Sequence, residues 1–496
     1  MQIQIIRIFL LILFVGIWIR LFYWQILKGD ELKAMAESQQ TESVNLSAER
    51  GNIVSSDSFI MASSKPTFVL FALPKVIKED KRKDLATILA KKFAKNEEEE
   101  LELKKDFVDK LSQNLFWILL RKNVDSELKK EIEDLKLTGL GFETSSTRFY
   151  PESSSSAHLL GFVGSDSKGE QTGYFGLEGF YNLELKGKSG KLLLEKDAAG
   201  LPIILGQFFK RPLKNGKNLL LNIDRGVQFI VEENLKKGME KYGAKKGSAI
   251  VLDPLSGAVL AMASYPNYDP GSFDKFPKED YRNPVVADSY EPGSTFKVLV
   301  MAASIDEDAV KPETKCDICS EPIKIGGYTI KTWNEKYFPD TTMSETIIHS
   351  DNTGMVFAGK KLGIDKMYDY LKAFGFGEIT EIDLQDETTP ALRDKDEWRE
   401  IDLATASFGQ GIAVTPVQMV MAVATFANGG KLMEPHIVRK IVGDGESFEI
   451  KPKVVREVIS ENTAKIVTEM MIRAVDDGEA KWAKPKGFKI AGKTGT

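Results

Sequence analysis

The N-terminal part of the chain carries an apolar run unlike any other segment. Residues 8–19 contain no charged side chain, and a second apolar stretch follows Arg20. As a helix, residues 8–27 would be about 30 Å long, which matches the hydrocarbon thickness of a bilayer. The pattern therefore predicts a transmembrane helix in which Arg20 reaches toward the outer interface and Tyr23 and Trp24 are interfacial aromatic residues.

A cleaved signal peptide is the alternative interpretation of this run. The triple Ala34-Met35-Ala36 resembles a cleavage site, but the polar stretch KGDELK separates it from the apolar segment, which favours an uncleaved anchor. Only a short tail carrying Arg7 precedes the span, so the N-terminus is expected in the cytoplasm. We therefore expect a single-pass protein of the cytoplasmic membrane, with the bulk of the chain outside the cytoplasm.

Beyond the anchor, hydrophobic periodicity separates two further regions. Residues 29–215 mix strand-like stretches such as PTFVLFALP with densely charged helical segments and glycine-rich turns. Residues 216–496 begin with a strand, a helix over 225–242 and two strands joined by a Leu-Ser-Gly turn. A mostly helical region then runs to about residue 428, and the last strand-like segment is 487–496. This order predicts an α+β fold with an antiparallel sheet backed by a helical cluster.

Composition and charge narrow the functions open to such a chain. The 496 residues suffice for two or three domains, and 42% hydrophobic and 28% charged residues are ordinary for a globular protein. The net charge of −5 gives no electrostatic reason to expect nucleic acid binding. The histidines, His158, His349 and His436, are too scattered for metal-ligand spacing or a Ser-His-Asp triad. We therefore expect no metal and no cofactor.

The stretch YEPGSTFKVLV places a serine and a lysine one helical turn apart. Ser294 and Lys297 would share one face of a helix, which the following apolar residues would draw toward a core. The alternative is an N-capping serine beside a solvated lysine. Acyl transfer to serine requires removal of its proton, and a lysine can remove it when burial and a helix N-terminus lower its pKa. The spacing therefore predicts Ser294 as nucleophile and Lys297 as general base.

Two further motifs follow this pair along the chain. Residues 349–352 read HSDN, and residues 493–496 read KTGT at the end of the last predicted strand. Alone, the first would most often be an ordinary Asx turn and the second a strand-ending turn. The combination of S-x-x-K, S-D-N and K-T-G is a known signature of class A β-lactamases and penicillin-binding proteins. All three in this order, with strand and helix around them, are specific.

The second and third motifs supply the polar groups that an amide substrate needs. An extended loop would point Ser350 and Asn352 into one cleft and turn Asp351 away. Ser350 would then relay protons to the leaving amine, and Asn352 would hold the substrate amide. Lys493 would add positive charge beside Ser350.

The end of the third motif predicts a peptide-binding edge. Gly495 leaves room for a peptide to lie against the strand, as in β-augmentation. The hydroxyls of Thr494 and Thr496 would bind a terminal carboxylate. The backbone N–H groups of Ser294 and Thr496 would form an oxyanion hole.

The chain as a whole resembles a class B penicillin-binding protein, the membrane-anchored, monofunctional transpeptidase that cross-links peptidoglycan. The likeness covers nearly the whole length and rests on RLFYWQIL, RFYPESSSSAHLLGFVG, LDPLSGAVLAMASYPNYDP, RNPVVADSYEPGSTFK, HSDNTGM and ASFGQGIAVTPVQM. The stretches YEPGSTFK and SFGQGIAVTPVQ resemble the cell-division type more than the elongation type. The resemblance implies an anchor at 1–28, an elongated α+β pedestal domain at 29–215, and a transpeptidase domain of serine β-lactamase-like fold at 216–496.

The resemblance also implies a reaction and partners. Ser294 would be acylated by a stem peptide ending in D-Ala-D-Ala, with loss of the last D-alanine, and a neighbouring stem's amine would complete the cross-link. Penicillin would bind the same serine covalently. The implied partners are the bilayer, through residues 8–27, a membrane-embedded glycosyltransferase and other division proteins.

Three alternative functions share these motifs. A serine β-lactamase is disfavoured by the uncleaved anchor, by the pedestal, and by Asn352 where the class with the STFK spelling carries an apolar residue. A non-catalytic division scaffold is disfavoured by the intact motifs. A D,D-carboxypeptidase stays open, because only the acceptor differs.

The sequence departs from the family pattern at two places. The early Arg-Gly pattern continues as RGNIVSSDSF, without the Asp-Arg and Gly that usually follow. The family continues beyond Lys-Thr-Gly-Thr with further strands and a terminal helix, whereas this sequence stops at Thr496. We therefore expect a C-terminally truncated catalytic domain that is marginally stable, with an open sheet edge and poor acylation by β-lactams.

Cys316 and Cys319 form a CDIC motif between the first two catalytic motifs. The spacing favours loop cysteines without a catalytic role over a local disulfide. One CxxC without a second pair or a nearby histidine argues against zinc.

Overall fold

The computed structural model describes residues 2–167, 169–196 and 202–496. A few residues of the predicted pedestal, Lys168 and 197–201, lie outside this described part. The chain divides into two compact units. The first comprises Met1–Arg50 and Lys186–Gly216, and the second comprises Gly51–Leu185 and Lys217–Thr496.

The described residues form helices throughout the chain. The α-helices, numbered in chain order, are α1 (Gln2–Phe22), α2 (Gly29–Gln40), α3 (Glu79–Phe93), α4 (Glu97–Leu111), α5 (Ser126–Asp134), α6 (Ala157–Leu160), α7 (Gly176–Phe180), α8 (Asn182–Lys186), α9 (Arg225–Tyr242), α10 (Pro284–Ala287), α11 (Lys297–Asp306), α12 (Met343–Ile348), α13 (Asn352–Leu362), α14 (Ile364–Ala373), α15 (Glu400–Ala406), α16 (Pro416–Ala427) and α17 (Glu461–Asp476).

Strands are interspersed with these helices. In chain order they are β1 (Thr41–Leu46), β2 (Ile53–Val54), β3 (Ile60–Ala72), β4 (Ile118–Val124), β5 (Leu140–Phe149), β6 (Phe162–Ser165), β7 (Gln171–Tyr174), β8 (Gly190–Lys196), β9 (Pro202–Arg211), β10 (Asn218–Leu221), β11 (Gly247–Leu252), β12 (Val259–Tyr265), β13 (Ile323–Ile325), β14 (Tyr328–Ile330), β15 (Lys431–Met433), β16 (Val438–Gly443), β17 (Glu446–Glu449) and β18 (Val454–Glu457).

The first unit contains the apolar helix and a small sheet. Helix α1 continues into a π-helical turn at Tyr23–Leu27, and the most apolar 18 residues of the span Ile3–Leu27 have a mean hydropathy of 2.5. This helix is long and apolar enough to cross a membrane, which confirms the predicted N-terminal apolar helix. Strands β1, β8 and β9 form an antiparallel three-stranded sheet in that order.

The second unit contains a seven-stranded sheet in the order β17-β16-β10-β2-β3-β4, with β5 also paired to β3. Its ladders are antiparallel except for the parallel pair β10–β2. Helices α3, α4 and α5 cover strands β3 and β4 through a separate apolar core that includes Leu89, Phe107 and Ile132. The acidic run Glu97–Glu100 is the first turn of α4, where negative charge complements the helix dipole.

The large core of the second unit surrounds helix α11. Nearly every residue of this helix is buried, and it packs against α13 and α17. A helix that is apolar on all sides belongs in the centre of a domain, because no face of it is suited to water. Strand β10, helix α9 and the hairpin β11–β12 appear in the predicted order, and the α+β class is confirmed.

Two local expectations are wrong. The segment 487–496 is not a strand: the amide of Gly492 donates to the carbonyl of Met471 in α17, at 3.4 Å, and no described strand pairs with the segment. A strand requires a neighbour to share its ladder, and the apolar-polar pattern alone does not supply one.

The second wrong expectation concerns Cys316 and Cys319, which form a disulfide instead of remaining free loop cysteines. Both side chains are buried, and the loop holds the two Cα atoms 5.7 Å apart, within the usual range for a disulfide. The backbone N–H of Cys316 donates to the carbonyl of Thr341 at 2.9 Å, which ties this loop to the start of α12.

Candidate active site

The proposed nucleophile lies on a tight turn before helix α11. Residues Gly293–Thr295 form a 3-10 turn, and the α-helix begins only at Lys297, three residues later than the sequence suggests. Neither helix start has a side-chain cap, so Ser294 does not act as an N-cap. The half-buried hydroxyl of Ser294 is therefore not used to cap the helix.

Main chain lies against both sides of this turn. Gly293 has φ +55°, and its N–H donates to the carbonyl of Gly409 at 3.0 Å. A Cβ added to Gly293 would lie 2.5 Å from the carbonyl oxygen of Thr496. The turn therefore requires glycine both for its backbone angle and for the close approach of Thr496.

Lys297 is completely buried at the first turn of α11. Its Nζ donates to the Ser350 carbonyl at 2.7 Å, the Ser350 Oγ at 3.3 Å and the Asn352 Oδ1 at 2.7 Å. All of these acceptors are formally neutral, so the lysine has hydrogen-bond partners without a carboxylate bonded to it. An amine in such a place can exist in its neutral form near pH 7.

The electrostatic surroundings of Lys297 also favour the neutral form of its amine. The pKa of Lys297 is lowered from 10.5 to about 7, mainly by burial and further by the positive charge of Lys493. The negative charge of Asp351 acts in the opposite direction. From the sequence, burial and the helix N-terminus were expected to lower this pKa. The contribution of Lys493 comes instead from a residue almost 200 positions away.

The Ser-Asp-Asn motif forms a tight turn between α12 and α13, not an extended loop. Ser350 has φ +55°, and Asp351 is the N-cap of α13. The side chains of Ser350 and Asn352 still meet, because both contact the Nζ of Lys297. The amide nitrogen of Asn352 also donates to the carbonyl of Lys331 at 2.8 Å, which fixes the orientation of its side chain.

The third motif approaches the same hydroxyl from the other side. The Nζ of Lys493 donates to the Ser350 Oγ at 2.9 Å and to the Thr494 carbonyl at 3.0 Å. Burial lowers the pKa of Lys493 to about 8, and the carboxylate of Glu479 opposes that shift. Ser350 thus lies between two lysines, each able to give up a proton near physiological pH.

The last residues of the motif lie beside the nucleophile turn. A Cβ at Gly495 would come within 2.8 Å of the Thr295 methyl group, so Gly495 permits the approach. Thr494 is half-buried and Thr496 is exposed. The structure thus brings the predicted residues Ser294, Lys297, Ser350, Asn352, Lys493, Thr494, Gly495 and Thr496 into one region of the second unit, by direct hydrogen bonds or through the close approaches at Gly293 and Gly495.

Several residues of this region were not found from the sequence. Glu291 accepts a hydrogen bond from the Gly411 amide at 3.0 Å, and the indole of Trp333 donates to the His349 carbonyl at 3.4 Å. The side chain of Trp333 is 58% exposed. An exposed tryptophan in a polar loop is a signal that sequence reasoning could have used, whereas the contact of Glu291 depends on a loop 120 residues away.

These groups are the ones that a serine acyl-transfer site with lysine in place of histidine requires. Comparison with known families agrees with this class. Residues 247–496 match the penicillin binding protein transpeptidase domain, and residues 45–221 match the penicillin-binding protein dimerisation domain. The chain belongs to the penicillin-binding protein transpeptidase family and has the two-domain organisation of its class B members.

Individual relatives are similar over almost the whole chain. Stage V sporulation protein D of Bacillus subtilis is 31% identical over 495 residues, covering 99% of this chain and 75% of that protein. Peptidoglycan D,D-transpeptidase FtsI of Escherichia coli is 28% identical, covering 96% of this chain and 78% of that protein.

Solved structures share the fold. Penicillin Binding Protein 2X from Streptococcus thermophilus superposes with a TM-score of 0.68 at 24% identity, covering 87% of this chain and 66% of that one. A peptidoglycan synthetase from Bifidobacterium adolescentis superposes with a TM-score of 0.70 at 26% identity, covering 92% of this chain and 86% of that one. The predicted two-domain α+β fold of this family is therefore confirmed.

Proposed function

We propose that this chain is a membrane-anchored peptidoglycan D,D-transpeptidase that acts through an acylated Ser294, and that β-lactams acylate the same serine. The observation that carries the proposal is the environment of Lys297. A fully buried amine with neutral hydrogen-bond acceptors and a pKa of about 7 can take a proton from a serine. Relatives that are named as peptidoglycan D,D-transpeptidases agree with this chemistry.

In the acylation step, the neutral Nζ of Lys297 takes the proton of Ser294 as the Oγ attacks the carbonyl carbon of the penultimate D-alanine. The C–N bond to the last D-alanine then breaks, and its nitrogen takes up a proton through the hydroxyl of Ser350. Ser350 suits this relay because its Oγ lies 3.3 Å from one lysine and 2.9 Å from the other. The products are an ester at Ser294 and free D-alanine.

In the second step, the amine of a neighbouring stem peptide attacks the ester carbonyl. It loses a proton, the C–Oγ bond breaks, and the hydroxyl of Ser294 is restored. The backbone N–H groups of Ser294 and Thr496 stabilise the oxyanion in both steps. Lys493, with the hydroxyls of Thr494 and Thr496, holds the substrate carboxylate, and Asn352 holds its amide.

The remaining parts of the chain have supporting roles in this proposal. Residues 1–28 anchor the protein with the N-terminus inside, residues 29–215 form the pedestal, and residues 216–496 form the transpeptidase domain. The septum is the proposed place of action, with a membrane-embedded glycosyltransferase and other division proteins as partners. The similarity to FtsI supports this assignment.

The proposal is tested by labelling the detergent-solubilised chain with a fluorescent penicillin. Wild type should form a long-lived adduct, at the slow rate expected of a poorly acylated domain, and Ser294→Ala should form none, because only the attacking hydroxyl is lost. Ser344→Ala, which changes a half-buried serine on α12, is the matched control and should label like wild type. Rapid turnover of the penicillin would indicate a β-lactamase, and labelling of Ser294→Ala would exclude this nucleophile.

A further inference from the structure

Asp351, the middle residue of the second motif, has a buried carboxylate whose two oxygens differ. Its side chain is 2% exposed. Oδ1 accepts from the amides of Thr353 and Gly354 at 2.7 and 3.3 Å and from the Thr353 hydroxyl at 2.7 Å. Among the described residues, Oδ2 has no hydrogen-bond partner. One oxygen thus caps helix α13 while the other is buried without a partner.

Helix capping accounts for only one of these oxygens. Asn and Ser cap helices about as well as Asp, and neither brings a charge. An unpartnered, charged oxygen in the protein interior is costly, since a buried charge loses its hydration. Another capping aspartate of this unit is exposed to solvent. Asp224, at the start of α9, accepts a hydrogen bond from the Val227 amide. Capping alone therefore does not require an aspartate to be buried.

The nearby buried cation is Lys297. The turn that carries Asp351 also supplies Ser350 and Asn352, which both hydrogen-bond to the Lys297 Nζ. The charge of Asp351 raises the pKa of Lys297, whereas the charge of Lys493 lowers it. Asp351 and Lys493 thus act on the lysine in opposite directions, and the acceptors bonded to its Nζ belong to Ser350 and Asn352, not to the Asp351 carboxylate.

Other charged groups around these elements act on different partners. On α12, hydrogen bonds from the backbone and side chain of Thr342 lower the pKa of Glu345, and the charge of His349 acts in the same direction. Beyond α17, Glu479 acts on Lys493. Asp351 is the carboxylate whose charge acts on Lys297, and it lies on the same turn as the residues that accept hydrogen bonds from that lysine.

We propose that Asp351 is a positioning residue whose buried negative charge sets the pH above which Lys297 can accept the proton of Ser294. The inference rests on the proposed function, in which Lys297 is the general base. With the charge present, Lys297 is a stronger base that is half neutral near pH 7. Without it, the amine becomes neutral at lower pH and is a weaker base.

The test is the pH dependence of the acylation rate with a fluorescent penicillin, measured on the full chain in detergent. The rate should rise with pH as Lys297 loses its proton. In Asp351→Asn, the midpoint of this rise should move to lower pH by about 0.5–1 unit, as expected for loss of one nearby charge. Asp351→Ser, a second neutral cap, should shift the midpoint in the same direction, and it decides the question if the Asn variant does not fold.

Two control variants separate charge from capping. Asp351→Glu keeps the charge and should keep the wild-type midpoint, and Asp224→Asn neutralises a helix cap remote from Lys297 and should leave the midpoint unchanged. If neither neutral Asp351 variant shifted the midpoint, the inference would be overturned while the proposed function would stand. An equally large shift in Asp351→Glu would have the same consequence. Absence of acylation in wild type would overturn the proposed function and this inference with it.

Discussion

The second unit buries charged side chains in two contrasting ways. Arg148 and Glu178 form an ion pair, with 2.6 Å between Nε and Oε1 and side-chain exposures of 3% and 0%. Lys297 is equally buried, yet its Nζ donates to a carbonyl, a hydroxyl and an amide oxygen. The first charge has an opposite charge in contact with it, and the second does not.

The difference separates a structural ion pair from a lysine that we propose as a general base. In a buried ion pair, each charge stabilises the ionised form of the other, so neither changes its protonation near neutral pH. Neutral acceptors orient an ammonium group without compensating its charge, so the lysine can lose its proton. The hydrogen-bond partners of a buried cation therefore indicate whether it holds the fold or takes part in chemistry.

The largest effect expected from this comparison is on acylation when Lys297 is replaced. Lys297→Arg keeps a cation in the site, but a guanidinium does not give up its proton at neutral pH. Acylation by a fluorescent penicillin should fall by about 10²–10⁴-fold, as for loss of a general base, and Lys297→Ala should fall similarly. Arg148→Lys, the reference variant from the structural site, should keep the wild-type rate. Acylation of the Arg variant at the wild-type rate would mean that another group takes the proton.

The next largest effect is on folding when the ion pair loses one partner. Arg148→Ala leaves Glu178 buried without its guanidinium, and it should reduce the free energy of unfolding by about 3–5 kcal/mol in urea titrations. The double variant Arg148→Met with Glu178→Leu removes both charges and should be much less destabilised. If the double variant were as unstable as the single one, packing and not charge would explain the loss.

The smallest effect per pH unit is a change in how stability depends on pH. Lys297 has a pKa of about 7 in the folded chain, against its ordinary value of 10.5, so between these values the unfolded chain binds a proton that the folded chain lacks. Wild-type stability should therefore rise with pH across this window, by up to about 1.4 kcal/mol per pH unit from this group. Below pH 7 the penalty is complete and constant.

Lys297→Met fills the site without a charge and tests that sign. Its unfolding free energy should rise less steeply between pH 7 and 10 than that of wild type, and the part that persists comes from Lys493, whose pKa is about 8. Thermal unfolding followed by circular dichroism at several pH values measures the difference. Parallel curves for the two proteins would show that Lys297 keeps its proton in the folded chain.

Sequence reasoning reached features that depend on nearby residues. The spacing of Ser294 and Lys297 follows from one helical turn, and the apolar residues after them identified a buried helix. The apolar N-terminal helix and the α+β order follow from periodicity in the same way. The left-handed backbone of Ser350 was missed because it is imposed by the junction of α12 with α13, not by the motif itself.

Contacts between distant residues could not be found from one sequence. Lys493 lies 143 positions from the serine hydroxyl that it contacts, and its effect on Lys297 exists only after folding. The last segment has a strand-like pattern, yet forming a strand depends on a neighbour that the pattern does not specify. The Cys316–Cys319 disulfide depended on the loop that buries both sulfur atoms.

The main-chain contacts around Gly293 bear on how this cleft can change under selection by antibiotics. The turn at Gly293 lies against the main-chain carbonyls of Gly409 and Thr496, so this wall of the candidate site consists of main-chain groups that every sequence contains. A side chain at Gly293 would collide with Thr496, and one at Gly409 would collide with Gly293, so neither position offers a tolerated substitution. Variants that react less readily with β-lactams should therefore arise at side chains such as Trp333, and leave this wall unaltered.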